Sequence, residues 1–202
     1  MDQLAFADAL QRAGRIDRFS RLSPSGAVTV TYHGQPWDLV PGDGWLLAGT
    51  GGVREVALLE NRSCEACAMV PPVVFALLDD GHVLCLDDRD EMAVLGQRLH
   101  RGLSPGGYAQ ALARTHSPAG RQDRYAEVIG DPDDPGEHFA GRNLPWLKAP
   151  RASRSGGRIN LTFCARRHLW PVARIEQWRV TAPVDAPATW EAVTAAEAEL
   201  TL

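Results

Sequence analysis

The chain contains almost no lysine: of its 21 basic residues, 20 are arginine and only Lys148 is lysine. Lys148 is therefore the single candidate for a Schiff base or an amine nucleophile. It follows Leu147 rather than a glycine, so the Gly-Lys-Ser/Thr sequence of a phosphate-binding P-loop is absent. Nucleotide hydrolysis by a P-loop enzyme is thereby excluded.

Long hydrophobic runs are also missing. No apolar stretch approaches the roughly 20 residues that cross a bilayer. The first residues, MDQLAFADALQRAGRIDRF, are amphipathic and carry Asp2, unlike a secretory signal. We therefore expect a cytoplasmic protein with no membrane partner.

Cysteine is scarce, with four residues at positions 64, 67, 85 and 164. Four scattered cysteines are too few for a disulfide framework. A chain of 202 residues also buries enough surface to hold a core without a disulfide or a metal. The simplest interpretation is that these are reduced thiols packed in a core.

Two further interpretations of the cysteines remain open. Cys64 and Cys67, followed after fourteen residues by His82 and Cys85, are four ligands of a type that binds tetrahedral zinc. This spacing predicts one structural zinc. Against it, residues three apart in a strand point to opposite faces, and His82 and Cys85 lie in a predicted strand.

The other interpretation is redox chemistry. The segment VREVALLE, then Ser63-Cys64-Glu65-Ala66-Cys67 and a proline five residues later, resembles the active-site segment of thioredoxins. The resemblance implies a thiol-disulfide oxidoreductase in which Cys64 attacks and Cys67 resolves the mixed disulfide. The chain departs from the thioredoxin pattern because no tryptophan precedes Cys64 and because Glu65 opposes thiolate formation.

Charge is distributed unevenly along the chain. Residues 142–179, the basic segment, hold nine basic residues against one acid, Glu176, a local charge of +8. Because the net charge is −4, the rest of the chain carries −12. Such asymmetry predicts a surface for an acidic partner. The alternative is that the basic segment pairs with the acidic runs at 79–91 and 131–137.

The guanidinium group of arginine binds phosphates through paired hydrogen bonds, and bases stack on tryptophan rings. We therefore predict a non-enzymatic binding or assembly subunit. Its first expected partner is nucleic acid or a ribonucleoprotein complex, and its second is an acidic protein within a hetero-complex. The predicted contact residues are Arg151, Arg154, Arg158, Arg166, Arg167, Arg174, Trp146 and Trp170.

One apparent catalytic motif fails on chemical grounds. Gly102-Leu103-Ser104-Pro105-Gly106 fits the Gly-x-Ser-x-Gly pattern of a nucleophile elbow. In that elbow the residue after the serine donates its backbone N–H to the oxyanion, and Pro105 has none. Ser104 followed by a proline is instead typical of a helix N-cap.

The patterns along the chain predict an α+β fold in a single domain over residues 1–202, with a mixed or antiparallel sheet. Apolar runs around Asp79-Asp80-Gly81 predict a β-hairpin. A central helical segment follows, with helices near 90–101, 105–115 and 118–129. Beyond it we expect a proline- and glycine-rich loop at 130–157, strands at 158–164 and 172–180, and a C-terminal helix at 188–200.

Overall fold

The computed structural model describes residues 2–20, 28–61, 70–118 and 125–200. The chain divides into two compact units, Met1–Met92 and Ala93–Leu202. The expectation that residues 1–202 form one domain stays a prediction, and each unit is described by itself. No helix in the described ranges is long and apolar enough to cross a membrane.

The first unit is a helix followed by a six-stranded antiparallel sheet whose strands are neighbours in chain order. Helix α1 begins after Asp2, whose carboxylate accepts hydrogen bonds from the N–H groups of Leu4 and Ala5. The elements are α1 Gln3–Arg12, β1 Arg18–Ser20, β2 Val28–Tyr32, β3 Gln35–Pro41, β4 Val53–Glu60, β5 Val73–Leu78 and β6 Val83–Cys85.

The core of this unit forms where α1 lies against the sheet. Phe6 and Leu10 on α1 are fully buried with Leu39, Leu59 and Phe75 in one cluster. Every residue of β5 is buried, as expected for a strand covered on both faces. The hairpin predicted around Asp79-Asp80-Gly81 is confirmed as β5 and β6, and Gly81 has the positive φ that its turn requires.

The second unit begins at Ala93, within the first helix of the central helical segment. Helix α2, Arg89–Leu95, continues into a 3-10 helix, Gly96–Arg101, and α3 spans Pro105–Thr115. Ser104 is the N-cap of α3, since its hydroxyl accepts a hydrogen bond from Gly107 N–H at 3.3 Å. The interpretation of Ser104 as a cap, rather than as a nucleophile, is confirmed.

A second antiparallel sheet follows the helices. Its strands are β7 Glu127–Val128, β8 Arg151–Ser155, β9 Arg158–Leu169, β10 Val172–Pro183 and β11 Thr189–Glu199, in the order β11-β10-β9-β7. β10 pairs with one side of β9 over its whole length, so β7 and β8 pair with the other side. Every pairing between the described strands is antiparallel, so the α+β class holds, with two sheets in place of one.

The predicted C-terminal helix is wrong. Residues 189–199 form β11, which pairs with β10 from Thr181 to Val172. Alanine and glutamate favour helix in this segment, but propensity is a weak prior that tertiary pairing overrides. Cross-strand ion pairs join the two strands, Arg174 to Glu197 at 2.7 Å and Arg179 to Glu191 at 3.3 Å.

Two other boundaries differ from expectation. Of the predicted helix at 118–129, residues 119–124 lie outside the described ranges, and residues 127–128 form β7. The expected loop at 130–157 contains one 3-10 turn, Glu137–Phe139, and then gives way to β8 at Arg151. β8 forms because the glycines at 156 and 157 allow a tight turn that folds it onto β9.

We predict that Ser104→Ala destabilises the protein by about 1 kcal/mol, because the first turn of α3 loses the side-chain acceptor for the N–H of Gly107. Urea unfolding followed by circular dichroism measures the change. Ser153→Ala on exposed β8 is the control and leaves the midpoint within about 0.5 kcal/mol. Equal midpoints for the two variants would contradict the assigned cap.

Candidate functional site

Arg167, predicted to contact a partner, is buried in the structure. Its side chain is 1% exposed and forms an ion pair at 2.7 Å with Glu176, which is 2% exposed. The same guanidinium donates hydrogen bonds to the carbonyl oxygens of Ala113 and His116. Arg167 therefore joins the end of α3 to the sheet and is removed from the predicted interface.

The acid that pairs with Arg167 is itself fully bonded inside the second unit. Glu176 also accepts a hydrogen bond from the indole N–H of Trp178 at 3.1 Å. One nitrogen of Arg167, Nη1, has no hydrogen-bond partner among the described residues. The interactions hold both charges in the interior, where removal of either partner leaves the other uncompensated.

Arg166 and Arg174 lie nearer the surface, and each has a local carboxylate partner. Arg166 pairs with Glu127 at 3.0 Å, and Arg174 pairs with Glu197 at 2.7 Å. Part of the basic segment is therefore paired with carboxylates of this chain. The acids involved are not the predicted acidic runs but residues brought alongside by the strands.

Trp170 is the most exposed tryptophan of the predicted set, 64% exposed in the turn between β9 and β10. It follows the last residue of β9, Leu169, which is about 36 Å along the strand from Arg158 at 3.3 Å per residue. A contact surface around Arg158 therefore does not include Trp170. Trp146, in contrast, is half-buried and packs against the cluster that contains Leu147 and Cys164.

The register of the second sheet places three arginines on one face. Arg151 of β8, Thr162 of β9 and Arg179 of β10 are aligned across the sheet, and side chains alternate between faces along each strand. We call this surface the open face; its residues are Arg151, Ser153, Arg158, Asn160, Thr162, Arg179 and Thr181.

The opposite face of the same strands is apolar. Ile159, Leu161 and Phe163 of β9 are at most 3% exposed, as are Trp178 and Val180 of β10. The open face is, by contrast, largely exposed at its polar side chains. Burial of the apolar side therefore orients the arginines of the open face toward solvent.

A groove adjoins the open face, with a cavity of about 280 Å³. Trp146 and Lys148 of the loop before β8 line it from one side, and Thr162, Gln177 and Arg179 line it from the sheet. The groove thus brings an aromatic ring and two cations together. Lys148 and Arg179 belong to the basic segment, but the sequence prediction did not select them, and only the strand register identifies Arg179.

The charge of this region is largely uncompensated. Within the described residues, the side chains of Lys148, Arg151 and Arg158 have no ion-pair or hydrogen-bond partner. Arg179 pairs at 3.3 Å with Glu191, but both side chains are about two-thirds exposed or more, so the attraction is weak. Among the described residues, the groove and the open face therefore carry four cations, and Glu191 is the one carboxylate paired with any of them.

A larger cavity of about 610 Å³ lies in the loop 132–145. Its charged lining residues are Asp133, Asp134, Glu137 and Arg142. The excess of acids gives it a sign opposite to that of the open face. It does not suit the acidic partner expected for the basic segment.

The predicted zinc and redox sites are only partly described. Cys64 and Cys67 lie outside the described residues. His82 is 78% exposed and contacts Asp80 at 3.1 Å, whereas Cys85 is half-buried in β6. The described residues contain no group of three or more side chains placed to hold a metal ion. The zinc and the Cys64–Cys67 chemistry stay predictions.

Cys85 and Cys164 have the properties of packed thiols. Burial raises the pKa of Cys85, and the nearby Asp87 carboxylate raises it further. Burial also raises the pKa of Cys164, more than the backbone N–H of Lys148 lowers it. Both side chains therefore stay protonated at neutral pH, where the thiolate is the reactive form.

Comparison of the chain with protein-family models, with curated proteins and with solved structures found no match.

We predict that Glu176→Gln destabilises the protein by about 3–5 kcal/mol, because the charge of Arg167 is then buried without its counter-ion. Denaturant unfolding measures the loss. Glu197→Gln is the matched control, since it removes the half-exposed partner of Arg174 and changes stability by at most about 1 kcal/mol. Similar losses for both variants would show that the Arg167–Glu176 pair is not buried.

We also predict that Cys85 and Cys164 are alkylated more slowly than a free thiol at pH 7.5, and that their rates keep rising above about pH 8.5. Timed iodoacetamide labelling with peptide mass spectrometry measures each cysteine separately. Protein unfolded in urea is the control, because both thiols are then exposed. Labelling of folded protein at the free-thiol rate would contradict the burial of these side chains.

Proposed function

We propose that the open face and the groove bind single-stranded nucleic acid, and that the protein acts as a binding or assembly subunit rather than as an enzyme. The observation that carries the proposal is the set of four cations, Lys148, Arg151, Arg158 and Arg179, on one surface beside Trp146. Phosphate contacts by lysine and arginine provide most of the affinity of sequence-independent binding.

The spacing of the arginines favours a ligand that carries several negative charges along a chain. Arg151 is aligned with Thr162, and Arg158 lies four residues before Thr162 on β9. The two arginines are therefore about 13 Å apart along the strands. Successive phosphates of one strand therefore have a separate arginine available to each. Asn160 and Ser153, aligned between the two arginines, add neutral hydrogen-bonding groups.

Trp146 supplies the remaining element of a single-strand site. Such sites combine a positively charged groove with aromatic rings on which bases stack. Trp146 is half-buried, so packing restrains its ring at the wall of the groove, and the cations Lys148 and Arg179 line the same cavity. In this arrangement one base stacks on Trp146, and the phosphates on either side of it contact Lys148 and Arg179, the two charged residues of the groove.

We predict that Arg151→Glu combined with Arg158→Glu weakens the binding of fluorescein-labelled oligothymidylate and oligouridylate. Fluorescence anisotropy at several salt concentrations measures both affinity and its salt dependence. The slope of log K against log salt falls by about 0.7 for each phosphate contact removed. Arg12→Glu is the control, because Arg12 is exposed on α1, where it pairs with Asp8.

In the same assay, Trp146→Leu weakens binding by roughly fivefold to a hundredfold without changing the salt slope, because stacking carries no charge. Trp146→Phe retains an aromatic ring and is its matched control. Equal binding by the doubly reversed variant and the parent would refute the proposal. Displacement of the oligonucleotides by polyglutamate at the same charge concentration would show that the partner is an acidic protein instead.

A further inference from the structure

A second cavity lies at the end of the open face, around the turn between β8 and β9. Its volume is about 280 Å³. The lining residues are His100, Arg154, Ser155, Gly156, Gly157 and Arg158, and we call it the turn cavity. The open face ends here because β8 and β9 meet at this turn.

The turn itself leaves room for a ligand at the backbone. Gly156 and Gly157 both have positive φ, 56° and 73°, as a two-residue hairpin turn with strands of this twist requires. A Cβ added at Gly156 would meet no atom within 4 Å. The side of the turn at Gly156 is therefore open to an approaching group.

Two side chains are held beside the turn by backbone carbonyls. Arg154 donates from Nη2 to the carbonyl oxygen of Leu99 at 3.1 Å. The Nε2 atom of His100 lies 2.8 Å from the carbonyl oxygen of Ala182. These hydrogen bonds connect the 3-10 helix to β8 and β10, and they restrain the Arg154 guanidinium at the cavity with donors left over.

The charge of the turn cavity suits a dianion. Arg154 and Arg158 carry two positive charges, and no carboxylate lines the cavity. The Ser155 hydroxyl adds a neutral donor. A phosphate monoester carries between −1.5 and −2 charges at neutral pH and has three free oxygens, whereas an internal phosphodiester carries one charge. Two guanidinium forks therefore match a terminal phosphate better than an internal one.

We propose that the turn cavity binds the terminal phosphate of the nucleic-acid strand that lies on the open face. This inference rests on the proposed function, and it assigns the strand an end and a direction. Arg158 belongs to both surfaces, so it connects the terminal phosphate to the internal phosphates that Arg151 contacts. Arg154 lies on the side of β8 opposite to the open face, so it contacts the terminal phosphate but none of the internal phosphates.

Three oligothymidylates of the same length test the proposal: one with a 5′-phosphate, one with a 3′-phosphate and one with hydroxyl groups at both ends. Each carries an internal fluorophore, and anisotropy gives the affinities. We expect one phosphorylated oligonucleotide to bind about tenfold more tightly than the unphosphorylated one, the effect of one added charge-assisted contact. Which end shows the effect gives the direction of the strand.

Arg154→Gln reduces the tenfold ratio between the affinities for the phosphorylated and the unphosphorylated oligonucleotide toward one, because the contact to the terminal phosphate is lost. Arg142→Gln is the matched control, because Arg142 is also an exposed arginine that donates to a backbone carbonyl, that of Glu197, and it lies outside the turn cavity. The control retains the ratio. As a second measurement on the parent protein, the amide resonances of Gly156 and Gly157 shift with the preferred phosphorylated oligonucleotide and much less with the unphosphorylated one.

Equal affinity for all three oligonucleotides would overturn this inference while the proposed function stands. Absence of binding by every oligonucleotide would overturn the proposed function, and this inference with it. A preference for a phosphorylated end that persists in Arg154→Gln and leaves the glycine resonances unchanged would place the terminal phosphate elsewhere and also overturn the inference.

Discussion

The twelve cross-strand pairs between β9 and β10 are the constraint on which the second unit depends. This register decides which side chains share a face, because residues alternate between faces along each strand. It buries Phe163 and Trp178 on one side, stacked with ring centroids 5.6 Å apart, and it places Thr162 beside Arg179 on the other. A shift by one residue would exchange the core and the open face.

The basic segment has two physical roles that its composition does not distinguish. Arg167 is an interior group whose bonds to Glu176 and to the end of α3 join helix and sheet. Arg166 and Arg174 are partly compensated by carboxylates on neighbouring strands. Lys148, Arg151 and Arg158, which have no carboxylate partner among the described residues, lie on or near β8 and the groove. The distinction arises from pairing partners on other strands and on α3, which lie between 9 and 54 residues away in the sequence.

The proposed site combines features that are individually weak. A surface arginine alone is usually solvated, and a half-buried tryptophan alone is usually a packing residue. Their combination on one side of a sheet, with few carboxylates to neutralise them, gives an extended positive surface next to an aromatic wall. Two further features of the same sheet, Arg154 and the turn at Gly156 and Gly157, line the turn cavity together with Arg158.

The sequence by itself determined the α+β class, the Asp79-Asp80-Gly81 hairpin, the cap at Ser104, and the basic character of residues 142–179. These features follow from local signals: short-range hydrogen bonds, turn chemistry and charge counts. Only the tertiary structure decided that residues 189–199 form a strand, that Arg167 is buried and that Arg179 faces the groove. The reason is that helix propensity and charge are local, whereas strand pairing and burial depend on residues distant in the chain.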